Sequence, residues 1–213
     1  MDKNLEHIIE KRVENLIEAL NKNNMEGYFV QNSKELLDKI SDLCPKGQVV
    51  AAGGSVSLEE SGVIKLLKSG VYEYLDRNKE GLTMEEKEYI QRKAFFADTF
   101  FTGTNAITEE GWLYNVDGNG NRVAAMIYGP KQVIVVVGIN KIVKDVKAAI
   151  DRVESIATPA NCLRLKLETP CAKVGYCMDC SSNSRICNDY TLIKRQRVKG
   201  RIKVIIVNEN LGY

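Results

Sequence analysis

Gln48-Val49-Val50-Ala51-Ala52-Gly53-Gly54-Ser55-Val56-Ser57 reads as an apolar run of strand length, a glycine turn and the opening of a helix, with Ser57 and Glu60 spaced as a capping box. On its N-terminal side, Leu5, Ile8, Ile9, Val13, Leu16, Ile17 and Leu20 recur at three- and four-residue steps, which predicts an amphipathic helix over 2–24. Gly27 breaks that pattern, Tyr28-Phe29-Val30 follows as a short strand, and Ser33 opens a helix through Leu43.

On the C-terminal side, Val71 to Leu75 reads as a strand, Thr83 with Glu86 caps a helix reaching Ala97, and Phe100-Phe101 starts another strand. Asp117-Gly118 and Asn119-Gly120 mark a tight turn between short strands, and Arg122 to Tyr128 reads as a short helix. Val133-Ile134-Val135-Val136-Val137 is the most continuously apolar run, the pattern of a strand buried on both faces. Val143 to Ile156 then predicts an amphipathic helix, and Lys203-Val204-Ile205-Ile206-Val207 a late strand. Strands alternating with helices in this way imply an α/β fold, an open, mainly parallel sheet with helices on both faces. Ligands of such sheets sit beyond the C-terminal ends of the strands.

A separate signal lies near the C-terminus, where Cys171, Cys177, Cys180 and Cys187 stand in the spacing C-x5-C-x2-C-x6-C. The chain opens on charged residues with no apolar leader, and no apolar run approaches the ~18 residues of a membrane span, so a cytoplasmic protein is expected. Thiols stay reduced there, and such a cluster reads as a metal or iron-sulfur site rather than as disulfides. Four thiolates suit tetrahedral zinc and a cubane cluster alike. Only Cys177-Met178-Asp179-Cys180 is a two-residue knuckle; [4Fe-4S] is preferred and zinc is the alternative. Cys44, ending a helix, and Cys162, placed in a loop, are expected to be small apolar residues.

At 213 residues the chain makes one domain over 1–213, with 158–198 a cysteine-rich metal-binding insertion. A formal charge of +2 gives no case for a nucleic-acid or membrane partner. The basic run Lys194 to Arg201 lacks interleaved aromatics and reads, with Leu192, Val198 and Ile202, as hairpin strands with basic outer faces. The N-terminal helix is expected to pack on its own sheet, a homodimer contact being the other use of its apolar face.

Gly53, Gly54, Ser55 and Ser57 bring bare backbone and two hydroxyls to a helix start, where a phosphate or carboxylate can approach. Thr102 to Asn121 adds a second polar, glycine-rich segment holding Gly103, Thr104, Glu109, Glu110 and Asp117, with Arg122 just beyond. Glu109 is the candidate base or nucleophile. His7 is the single histidine, so a histidine-dependent triad is not expected.

With these segments in order, the chain resembles the LUD-domain family, named for lactate utilisation, over nearly its whole length. The resemblance rests on Gly53 to Ser57, on Thr102-Gly103-Thr104-Asn105-Ala106-Ile107-Thr108-Glu109-Glu110-Gly111, on Tyr128-Gly129-Pro130, on Val137-Gly138-Ile139-Asn140-Lys141, and on Val204 to Glu209. It implies the sugar-phosphate isomerase and CoA-transferase type of fold, with a small-molecule cleft above the strand ends. Carried across, it makes Gly54, Ser55 and Ser57 ligand contacts and Glu109 and Asn140 cleft residues. It also implies oxidation or utilisation of lactate, or of a similar small organic acid, by electron transfer beside an iron-sulfur redox partner protein. Two other functions stand against this one. The first is a zinc-stabilised, non-catalytic small-molecule-binding subunit, and the second a phosphate or CoA-thioester enzyme using Glu109.

Overall fold

The longest apolar run forms an interior strand of the main sheet. Alternate residues of the Gln132–Gly138 strand enter opposite cores: Val133, Val135 and Val137 on one side, Ile134 and Val136 on the other. Both faces of that strand are therefore covered, as its unbroken apolar sequence requires. The computed structural model describes residues 2–213.

In chain order the first half comprises α1 (Lys3–Lys22), β1 (Glu26–Val30), α2 (Ser33–Leu43), β2 (Val49–Ala52), α3 (Val56–Glu60), α4 (Val63–Leu67), β3 (Glu73–Leu75), α5 (Met84–Lys93) and β4 (Thr99–Gly103). The second half comprises β5 (Ala106–Thr108), β6 (Leu113–Asp117), α6 (Asn121–Tyr128), β7 (Gln132–Gly138), β8 (Ile142–Val143) and α7 (Val146–Arg152). It closes with α8 (Thr158–Arg164), α9 (Pro170–Val174), β9 (Asp189–Ile193) and β10 (Ile202–Val207). A six-stranded sheet runs β1-β10-β7-β4-β2-β3 with every neighbouring pair parallel. On one face α1 buries Val13, Leu16 and Leu20 beside Ala125 and Met126 of α6; on the other α2, α3 and α4 bury Leu36, Ile40, Leu58, Val63 and Leu67. The N-terminal helix thus packs on its own sheet. Among the described residues no helix is long and apolar enough to cross a membrane.

A second sheet of four strands, β8-β5-β6-β9, was not foreseen. Its β9 pairs antiparallel with β6, whereas β10 lies in the large sheet, so the basic run Lys194 to Arg201 connects two sheets and is not a hairpin. The hairpin between β5 and β6 turns at Glu109-Glu110-Gly111, and Asp117-Gly118 instead leads from β6 into α6. Ser57 and Glu60 form no capping box: the N-cap is Ser55 and makes no side-chain bond. Ser57 Oγ donates to the Leu211 carbonyl (3.2 Å), and Glu60 Oε2 accepts from the Gly212 N–H (2.6 Å), so both are drawn to the C-terminal tail. The helix expected over 143–156 starts at Val146 and runs on through a π turn at Val153–Ala157 into α8. Pro159 has no N–H for the preceding turn, and the wider π turn absorbs that loss without ending the helix. Cys162 consequently sits in a helix, buried, rather than in a loop.

The β5–β6 turn packs directly against α1. Gly111 has φ +75°, and a Cβ there would lie 2.9 Å from the Leu20 nitrogen and 3.0 Å from the Ala19 carbonyl carbon, which is backbone that cannot yield. Gly111→Ala is expected to lower the unfolding free energy by about 1–3 kcal/mol, read as a shift in urea midpoint at unchanged slope.

Candidate functional site

The chain leaves β2 for the outer strand β3 and then crosses back to β4 on the other side of β2. The connections beyond the C-terminal ends of β2 and β4 therefore diverge, and a crevice opens between them, as at other topological switch points. A cavity of about 310 Å³ lies there, lined by residues that follow the parallel strands: Gly54 and Ser55 after β2, Arg77 after β3, Gly103 to Asn105 at the end of β4, and Lys141 after β7. Tyr213, beyond β10, closes one side; Asp117 to Asn119 from the second sheet and Arg164 from α8 close the others. Gly103 lets Ser55 Oγ come close, since a Cβ there would stand 2.5 Å from that hydroxyl and turn it aside.

Arg122 organises this crevice from below. Its Nε donates to Asp117 Oδ1 (2.8 Å), Nη1 to the Gly103 carbonyl (3.1 Å) and Asn115 Oδ1 (2.6 Å), and Nη2 to Asn105 Oδ1 (2.8 Å) and the Val116 carbonyl (3.3 Å). These five bonds engage every donor direction that a guanidinium has. Asp117 Oδ2 accepts from the Val123 N–H (3.0 Å), so both carboxylate oxygens are also engaged. Among the described residues Asp117 is the one acidic side chain lining the cavity.

The remaining charge is positive. Arg77 is half-buried and has no hydrogen-bond or ion-pair partner among the described residues; burial pulls its pKa down. Arg164 donates to Asn161 Oδ1 (2.8 Å) at the rim. Lys141 is 3% exposed and donates from Nζ to Ser57 Oγ (2.8 Å). Burial, reinforced by the Arg152 and Arg122 charges, pushes its pKa down to about 7. Tyr213 Oη is buried without a hydrogen-bond partner.

Of the residues singled out from sequence, Gly54, Ser55, Gly103 and Thr104 line the cavity, and Gly53 lies just behind it with its N–H on the Phe101 carbonyl (2.9 Å). Ser57 reaches the site only through Lys141. Asn140 grips the tail instead, donating to the Gly212 carbonyl and accepting from the Leu211 N–H, both at 3.1 Å. Glu109 is outside the cleft: it sits on the β5–β6 turn, 46% exposed, in an ion pair with Arg12 of α1 (3.1 Å). Arg77, Lys141 and Tyr213 were missed, although Arg77 and Lys141 follow closely on the ends of parallel strands, where ligands of such sheets are held.

The cysteine segment abuts the same crevice. Asn188 donates its N–H to the Asp117 carbonyl (2.9 Å) and its side-chain amide to the Gly118 carbonyl (3.0 Å), and Ile186 lines the cavity. Cys171 and Cys187 are buried, while Cys177 and Cys180 are half-buried. The Asp179 N–H donates to Cys177 Sγ (3.4 Å) in the knuckle, a bond that favours thiolate, and Asp179 takes a positive φ of +42° to make it. Arg185 ties the segment together, donating to the Cys180 carbonyl (2.5 Å) and the Cys187 carbonyl (3.0 Å). Burial raises the Cys177 pKa, with Cys187 and Cys171 close enough to add to it. Cys162, set aside in the sequence, faces this group too: burial pushes its thiol up to about 11, and Thr169, Cys171 and Cys187 all act on it. The donors thus have the softness and local hydrogen bonding of thiolate ligands, but among the described residues no three histidine, cysteine or acidic side chains converge to metal-holding distance.

Arg122→Met strands Asp117 in a buried position, and the expected loss is about 3–5 kcal/mol of stability by urea unfolding. Lys141 supplies a second test. Between about pH 7 and its ordinary value of 10.5 the folded chain holds one proton fewer there than the unfolded chain, so this lysine makes stability rise with pH across that window. Unfolding measured from pH 7 to pH 9 should show a shallower rise in Lys141→Met than in the parent.

No curated protein is significantly similar to the chain. The fold is that of a DUF162 family protein from Deinococcus radiodurans, known from its crystal structure, which is 15% identical, with 94% of this chain and 98% of that one covered at a TM-score of 0.53. The family model of the LUD domain matches residues 13–207, and on that match the chain belongs to the LUD-domain family.

Proposed function

We propose that this protein binds a small organic acid, or a phosphorylated small molecule, in the crevice at the ends of β2 and β4, and serves the oxidation or utilisation of lactate or a similar acid. One observation carries the reading: among the described residues Arg77 is an unpaired, half-buried guanidinium lining a cavity whose one acidic side chain, Asp117, is already engaged by Arg122. A planar fork of donors without a partner is suited to a carboxylate or phosphate. The volume, about 310 Å³, suits a molecule of that size and is at the small end of ligand pockets.

Cys171, Cys177, Cys180 and Cys187 would hold a [4Fe-4S] cluster, which when bound supplies one-electron exchange. The bonds from Asn188 to Asp117 and Gly118 favour a link between cluster and acid, since they fix the cysteine segment to the wall of the crevice. A redox partner protein would approach the exposed residues of this segment, Tyr176 and Met178.

Two measurements on protein purified without oxygen test this function. Metal and acid-labile sulfide should come to about four irons and four sulfides per chain; one zinc without sulfide would make the segment structural and end the electron-transfer part. Calorimetric titration with lactate, pyruvate, phosphate and a sugar phosphate should show binding that Arg77→Ala weakens by about tenfold or more, the worth of one charge-assisted bond. Absence of binding to all four would overturn the acid-binding part.

A further inference from the structure

We propose that Lys141 is the nucleophile of this crevice, forming an imine with the carbonyl carbon of a small anionic ketone or aldehyde, of which a 2-oxo acid is the representative. The inference rests on the acid-binding reading above, in which Arg77 takes the anionic end. A 2-oxo acid is the oxidised form of a 2-hydroxy acid such as lactate, so the same crevice meets the carbonyl compound if it serves that chemistry.

The geometry comes first. Lys141 ends the turn Ile139–Lys141 that follows the central strand β7, lines the cavity, and is almost wholly buried. Among the described residues it has no ion pair, which is unusual for a buried ammonium. Its hydrogen bond goes to Ser57 Oγ at 2.8 Å, and that hydroxyl sends its own proton to the Leu211 carbonyl at 3.2 Å, so Oγ acts as acceptor toward the amine.

The charged groups facing it are Arg122 from α6, Arg152 from α7 and Glu60 from α3, and Glu60 is bonded to the Gly212 N–H. Two cations and desolvation favour the neutral amine, which matches the lowered pKa of about 7. A neutral amine held through one N–H by Ser57 keeps its lone pair for the cavity. A lysine serving only to attract an anion would gain nothing from this surrounding, since its neighbours remove the charge it would use.

The step balances without an oxidant. The Nζ lone pair attacks the carbonyl carbon, a C–N bond forms, and the C=O π pair moves to oxygen. Two protons from nitrogen, relayed by solvent or the hydroxyl, accompany that oxygen out as water and leave a C=N bond.

The test is reductive trapping of the intact protein with pyruvate and sodium cyanoborohydride, followed by intact mass and peptide mapping. One adduct per chain is expected, with the mass of the acid less one water plus two hydrogens, on the peptide that contains Lys141. Lactate in place of pyruvate should give none, and the trapping rate should rise through about pH 7, not near the ordinary lysine value of 10.5. Lys141→Met should lose the adduct, and Arg77→Ala should need about tenfold more pyruvate to reach it. Calorimetry separates the two ways of failing. Pyruvate binding without an adduct, or with adducts only on exposed lysines such as Lys144, would overturn the nucleophile and leave the acid-binding site standing. No binding at all would overturn both.

Discussion

The buried pair of Arg122 and Asp117 holds the two sheets in one arrangement. Asp117 ends a strand of the small sheet and Arg122 lies in the first turn of the helix that follows it. The guanidinium reaches across to the Gly103 carbonyl at the end of β4, in the large sheet, and to Asn105 in the connection between them. A buried charge of this kind tolerates little movement, because each displaced bond leaves a polar group without water or partner. The crevice is the space that this fixed joint leaves between the strand ends, and its width is set before any ligand arrives.

The same pair decides the electrostatics. With Asp117 consumed by Arg122, no other acidic side chain among the described residues lines the cavity wall to answer Arg77, Arg164 or Lys141. The protein thus keeps one arginine satisfied as a structural tie and leaves another half-buried and unpaired, and only the second is available to a ligand. Lys141 belongs to neither class, since its surroundings oppose its charge.

The large sheet was legible because Val49 to Ala52 and Val133 to Val137 are apolar at every position, the pattern of strands covered on both faces. The small sheet was not. Its strands Ala106–Thr108 and Ile142–Val143 are too short to show a period, and Asp189–Ile193 pairs with a partner more than seventy residues earlier. At Asp117-Gly118 the residue types correctly marked a turn, but what followed was a helix, because Asp117 was needed to hold Arg122. Ser57 and Glu60 have capping-box spacing and were diverted by the tail, contacts 154 and 152 residues away in sequence that no local rule contains. Glu109 was chosen by residue type and by the family resemblance; its position is fixed by the turn that Gly111 seats on α1, where it pairs with Arg12 outside the crevice. Gly54, Ser55, Gly103 and Thr104 were found because strand-end turns of bare backbone and hydroxyls have a local signature. Arg77 and Lys141 have none, and only the order of strands brings them together.

Asn188 and Ile186 make the cysteine segment a wall of the crevice rather than a neighbour of it. Two events on this chain are then thermodynamically linked, whatever group the thiols take. Anything that reorganises the segment alters the free energy of filling the crevice, and by reciprocity a molecule in the crevice alters the midpoint at which the segment is loaded, emptied or oxidised, by an equal and exchangeable amount.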